Sequence, residues 1–404
     1  MNADWLILHA GALGDLALML QLALLLPDVD AASTLWVVSR TNPGDLSSCR
    51  PSVRRISLEG IGLHWLHADG DDPPPERLRE LIAGRRVLNA LSDAESAVHR
   101  RLVGLGARGV FSFDSRPDAQ SSAHITMQWQ SRLEGQGLLT GKRLQEHRGG
   151  AHLLVPNELR ERGHLTGLQE PERTSRATAG AGPGRHPRLR EDAGRDARLC
   201  EDKARSAQLR EDKGRSARLG EDASRTAFPV PEGRVKVAQG ASPGTAADPK
   251  TRSPNGAIEV RPILIHPGSG GRAKCWPLAC FIDVARRLRE SGELVCFVVG
   301  PVELERWPVD DLNAIRAEFP VFESPAPNDL LCLLAGARVL IANDAGPAHL
   351  AALLGTPTVT IFGPTSPAVW HPLGPAARCL YGDSDSYPDD WGISLTRVVE
   401  AAGL

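Results

Sequence analysis

The sequence predicts an α/β protein of two doubly wound parallel sheets facing each other across a cleft. Short apolar strand-like runs alternate with helical runs through residues 1–170, and the same alternation begins again at residue 258. Alternation with short loops is what parallel strands covered by helices require. A break in composition separates the two halves. Residues 172–256 hold only eight large apolar side chains in 85 positions, and 17 of the 18 aromatic residues lie outside them. That stretch cannot bury enough apolar surface to offset its chain entropy, so it reads as a disordered linker. The expected organisation is an N-terminal domain over 1–170, a linker over 171–257 and a C-terminal domain over 258–404.

In the first half, residues 5–9 form a short apolar strand, 11–14 a glycine turn, and 15–26 a helix stopped by Pro27. Strands are expected at 35–39, 54–58, 87–91 and 110–113, with a helix at 94–105 between the last two. Residues 153–155 lead into a helix at 157–165. In the second half the predicted strands are 263–266, 294–299, 321–323, 339–342 and 358–362. The helices between them are 277–290, 310–319, 328–335 and 347–354. Ligands of such folds bind at the carboxyl ends of the strands, so the loops that follow strands are where chemistry is sought.

The linker contains four decamers over 188–227, RLREDAGRDA, RLCEDKARSA, QLREDKGRSA and RLGEDASRTA. Ten residues with one Leu cannot bury against neighbouring copies as a solenoid repeat does. The linker carries 18 basic and 12 acidic residues, which leaves the remaining chain 29 basic and 37 acidic. The formal charge of −2 is therefore the sum of a basic insert and acidic domains, and it argues against a nucleic-acid partner. The basic insert suggests peripheral association with an anionic membrane. The apolar run 16–26 is too short to span a bilayer and lacks a preceding basic segment, so it reads as a buried helix. Seven scattered cysteines without a CxxC pair exclude a disulfide framework or a zinc site and fit a reducing, cytoplasmic compartment.

Three motifs can carry chemistry. In HAGALGD (9–15), Asp15 opens a helix after a glycine turn; it is a plain helix-start carboxylate or a general base at the cleft. In IHPGSGGRAKCWP (265–277), Gly268, Gly270 and Gly271 expose backbone N–H groups and Lys274 adds a cation, which together suit a phosphate. The motif also matches the loose dinucleotide pattern through Gly268, Gly270 and Ala273, although Pro277 delays the helix beyond what that pattern wants. In IANDAGPAHLAALLGTPTVTIFGPT (341–365), Asp344 can accept from sugar hydroxyls. Pro347 is expected at the first helical position, leaving the N–H groups of Ala348 and His349 for a diphosphate. Trp370 stacks on a ligand or packs. Two D-x-D triplets, at Asp69/Asp71 and Asp383/Asp385, lie in turn-like polar stretches and read as turns rather than metal sites. Ser269 lacks the elbow of a hydrolase nucleophile.

Together GALGD, HPGSGGRAKCWP and NDAGPAHLAALLGTPTVTIFGPT resemble glycosyltransferase family 9, the ADP-heptose:lipopolysaccharide heptosyltransferases, over 1–170 and 258–404. The resemblance implies the GT-B fold, a nucleotide-diphosphate sugar donor (ADP-heptose), inversion at the anomeric carbon, a glycan or lipid-linked acceptor, no cofactor and no metal. It makes Asp15 the catalytic base. It places Ser269, Gly270 and Lys274 on the donor diphosphate, and Asp344, Gly346 and His349 on the donor sugar and phosphates. Glu303 or Glu305 would meet the nucleoside. The decamer insert is no part of the family pattern. Two other readings stay open: an NAD-binding Rossmann oxidoreductase, and a non-catalytic sugar-nucleotide-binding protein.

Overall fold

A computed structural model describes residues 4–69, 72–139, 151–164, 250–252 and 258–404. The expected linker and its decamers lie outside the described residues, apart from β6 (Lys250–Arg252), which pairs antiparallel with β7 (Ile258–Val260) at the start of the second half. The described residues all fall within one compact unit.

The first sheet is wholly parallel, in the order β3-β2-β1-β4-β5. Its strands are β1 (Asp4–His9), β2 (Thr34–Ser39), β3 (Ser52–Ser57), β4 (Arg86–Asn89) and β5 (Gly109–Ser112). The second sheet, also parallel, runs β10-β9-β8-β11-β12-β13. Its strands are β8 (Ile263–His266), β9 (Val295–Val299), β10 (Val321–Glu323), β11 (Val339–Asn343), β12 (Thr358–Phe362) and β13 (Ala377–Tyr381). Every residue of β8, β9, β11 and β12 is buried. Helices cover both faces, so β9 is an unbroken apolar run, β8 and β11 are apolar up to a buried polar last residue, and β12 buries Thr358 and Thr360 between its apolar residues. The strand order reverses between β1 and β4 in one sheet and between β8 and β11 in the other. The loops leaving β1, β8 and β11 therefore sit at the crevices where doubly wound sheets take ligands.

Helix α1 (Leu13–Ala23) is buried from Leu16 to Ala23. The eleven-residue apolar run is a core helix, and no described helix is long and apolar enough to cross a membrane. The helices that follow are α2 (Glu76–Ile82), α3 (Ala97–Gly104), α4 (Ile125–Glu134), α5 (Asn157–Arg162), α6 (Leu278–Glu290), α7 (Pro301–Arg306), α8 (Val309–Glu318), α9 (Pro327–Gly336), α10 (Gly346–Leu353), α11 (Pro367–Trp370) and α12 (Leu395–Ala401). On α6 the buried Phe281, Ile282, Val284, Ala285 and Leu288 make the stripe that a one-sided helix needs. Leu16, Leu20 and Trp129 from the first half share one continuous core with Leu264, Leu331, Leu350 and Leu354 from the second.

Several boundaries depart from the sequence reading. In the stretch that leads into α5, Leu154 makes one antiparallel bridge to Arg50, and Leu153 donates to the Leu353 carbonyl. Strands β6, β7 and β13 and helices α2, α4, α7, α11 and α12 were not expected. β13 is an edge strand with one buried residue, so it shows no apolar run. Helix α10 begins at Gly346, not Pro347, which puts the proline second.

Candidate active site

The three motifs meet. Gly14 in the first turn of α1 lies against Gly346 and His349 in the first turn of α10. A Cβ at Gly14 would be 3.0 Å from His349 Cδ2, and one at Gly346 would be 2.9 Å from Leu13 Cβ. Two glycines at this crossing are what let the helix starts of the two halves touch. The second motif is tied to the third by Ser269, whose buried hydroxyl donates to the Asp344 carbonyl at 2.7 Å. Asn343, fully buried at the end of β11, makes two further ties. Its amide donates to the Pro267 carbonyl at 2.7 Å, and its Oδ1 accepts from the Trp276 N–H at 2.9 Å.

Asp344 is the hub. Its Oδ2 accepts from the Thr365 hydroxyl at 3.0 Å and lies 3.9 Å from Lys274 Nζ. Its Oδ1 lies 3.6 Å from His349 Nε2. Lys274 is 44% exposed at its side chain, so this long pair adds little stability and leaves the ammonium available to an anion. His349 Nδ1 is buried without a hydrogen-bond partner among the described residues, and a buried polar atom left so costs free energy until something meets it. Gly270 is exposed, and a Cβ built there or on Gly271 would meet nothing within 4 Å among the described residues, which leaves their backbone open to a ligand.

Asp15 sits in the first turn of α1, and its Oδ2 accepts from the Ala12 N–H at 3.2 Å. His9, at the last position of β1, is 1% exposed. Its Nδ1 accepts from the Gly11 N–H at 3.3 Å, which places the ring proton on Nε2. Burial pushes the His9 pKa down to about 4, against the opposing pull of the Asp15 charge, so the ring is neutral near pH 7. A second histidine joins the two halves. His124, at the start of α4, donates from Nε2 to the His371 carbonyl at 2.9 Å and is pushed down to about 3, by burial first and then by His371.

The two acidic candidates after β9 separate clearly. Glu303 is 2% exposed, and its Oε2 accepts from the Gly300 N–H at 2.7 Å. A Cβ at Gly268 would be 2.0 Å from Glu303 Oε1, so the glycine is there to admit this carboxylate. Glu305 is exposed on α7. One expectation needs correction: the Ala348 N–H is engaged by the Ala345 carbonyl, because α10 starts one residue early. The Ser269 hydroxyl gives its proton to the Asp344 carbonyl. Of the two readings of Trp370, the structure shows packing, partly buried against the core. Of the D-x-D triplets, Asp383 Oδ1 accepts from the Asp385 and Ser386 N–H groups as a turn, whereas Asp71 lies outside the described residues. Among the described residues no group of three or more His, Cys, Asp or Glu is placed to hold a metal ion. His9, Asn343 and Thr365 had not been singled out. His9 and Asn343 each end a strand and open a motif, and that position was the available signal.

The sequence profile of glycosyltransferase family 9 (heptosyltransferase) matches residues 225–390. The chain is 35% identical over 128 residues to lipopolysaccharide heptosyltransferase 1 of Pseudomonas aeruginosa, covering 29% of this chain and 36% of that protein. It is 29% identical over 128 residues to lipopolysaccharide heptosyltransferase 2 of Escherichia coli, covering 30% and 36%. The matching segment spans about a third of the length of these relatives. Two solved structures are similar along the whole chain: the ADP-heptose lps heptosyltransferase II of E. coli and a family 9 glycosyl transferase of Veillonella parvula. Each has a TM-score of 0.52 at 16% identity and is covered to 98%. At that identity the likeness speaks for the fold, two Rossmann-like domains in the GT-B arrangement.

Proposed function

We propose that this family 9 heptosyltransferase-like chain is an inverting glycosyltransferase. It moves a sugar, heptose by its relatives, from an ADP-sugar to a hydroxyl of a lipopolysaccharide-core-like acceptor without a metal. The observation that carries the reading is the meeting of all three motifs at the carboxyl ends of β1, β8 and β11.

Asp15 takes the proton from the acceptor hydroxyl as that oxygen attacks the anomeric carbon. A carboxylate is a weak base for an alcohol, so proton transfer comes late and most of the rate comes from holding the reactants in line. The leaving diphosphate gains negative charge. Lys274 and the open backbone of Gly270 and Gly271 face that charge, with the start of α10 at Gly346 beside them. Asp344 and His349 hold the donor sugar and phosphates. Ser269 acts by fixing Asp344, and Glu303 borders the nucleoside end of the loop. The basic insert holds the enzyme at the anionic cytoplasmic membrane face where a lipid-linked acceptor lies.

The test is a screen of purified protein against ADP-, UDP- and GDP-sugars with acceptor glycan, with and without EDTA, reading nucleoside diphosphate released. The reading expects acceptor-dependent release from the ADP-sugar that EDTA leaves unchanged. EDTA-sensitive release would overturn the metal-free mechanism. A titration in which NAD binds more tightly than ADP would favour the oxidoreductase reading.

A further inference from the structure

We propose that His9 is a positioning residue for Asp15, its neutral ring holding one carboxylate oxygen so that the other faces the acceptor. The inference rests on Asp15 being the base. The two side chains meet over Gly11. A Cβ built on Gly11 would be 2.9 Å from Asp15 Oδ2, 2.9 Å from His9 Nε2 and 2.6 Å from His9 Cε1. Only a residue without a side chain allows both groups to close on the same small volume.

The tautomer is fixed on the far side of the ring. Because Nδ1 accepts from the Gly11 N–H, the proton is on Nε2, which borders the same space over Gly11 as Asp15 Oδ2. Oδ2 already accepts from the Ala12 N–H. When the two groups close and Nε2–H donates to that oxygen as well, Oδ1 is the atom left to receive the acceptor's proton. A neutral donor suits this task. A Lys or a protonated His would hold the carboxylate more tightly but would lower its basicity. Burial keeps the His9 ring uncharged near pH 7.

The experiment compares His9→Gln, which keeps an N–H donor near the Nε2 position, with His9→Leu, which removes it. Gly11→Ala would wedge the pair apart. Steady-state kinetics, ADP binding by calorimetry and thermal melting are read for each, with Asp15→Asn alongside. His9→Leu is expected to lower kcat about ten- to a hundredfold with donor KM and ADP affinity unchanged. His9→Gln should recover most of kcat, and Gly11→Ala should resemble His9→Leu. Full activity in His9→Leu while Asp15→Asn is inactive would overturn the positioning role and leave the base intact. Full activity in Asp15→Asn would overturn the base itself. Equal losses in His9→Leu and His9→Gln, with both proteins folded, would reduce His9 to a packing role.

Discussion

Asp15 carries the proposed chemistry, and its neighbours carry the geometry. Asp15→Asn keeps the shape of the side chain and removes the base. Turnover should fall about a hundred- to ten-thousand-fold while ADP binding persists. Asn343→Ala would strip buried partners from the Trp276 N–H and the Pro267 carbonyl. Two unmet backbone groups cost about 2–4 kcal/mol together, and a melting curve should show the loss as a drop of several degrees. Gly268→Ala would drive a methyl into the Glu303 carboxylate. That shift should raise donor KM about tenfold with little change in kcat; an unchanged KM would detach Glu303 from donor binding. Residue identity was legible wherever a motif combined glycine with charge. The wiring was not. Nothing in the letters Asn343 or Ser269 says that they bind backbone groups 67 to 76 residues away in the chain, because such bonds exist only once two loops are brought together.

The strands of the second sheet were readable because burial on both faces leaves continuous apolar runs, as in VCFVV of β9. Edge and surface elements such as β13 and α2 carry no such run. Most helix starts moved by one to three residues, and for α10 that shift mattered: it engaged an N–H group expected to be free. Helix α4 shows a further consequence of burial. His124 at its start has a folded pKa near 3 against an ordinary 6.5, and His9 one near 4. Above pH 6.5 both folded and unfolded forms are neutral and the fold keeps its full stability. As pH falls from 6.5 toward 4 the unfolded chain takes up protons that the folded chain refuses, so stability declines. Melting temperature followed from pH 7 to 4 should therefore fall, and His124→Asn should flatten that fall. An identical slope in the variant would mean that other groups set it.

For the whole molecule, the two-sheet architecture followed from the repeated alternation alone, whereas the joining of the halves did not. α1 and α10 cross at Gly14 and Gly346, and one core runs through both halves. The sequence marks α1 as apolar without saying that its partner lies more than 300 residues on. The charge division between insert and domains gives a separate expectation. Binding to vesicles of anionic lipid should weaken as salt rises and disappear when 172–256 is deleted, while transfer to a soluble acceptor continues. If the deletion abolishes soluble transfer in a folded protein, the insert belongs to the active site. The decisive measurement is acceptor-dependent release of ADP from ADP-heptose by the wild-type chain and by Asp15→Asn, at matched ADP occupancy. Release by the wild type that collapses in the variant is the predicted result. Equal release by both proteins, or release by neither, would contradict glycosyl transfer at this site.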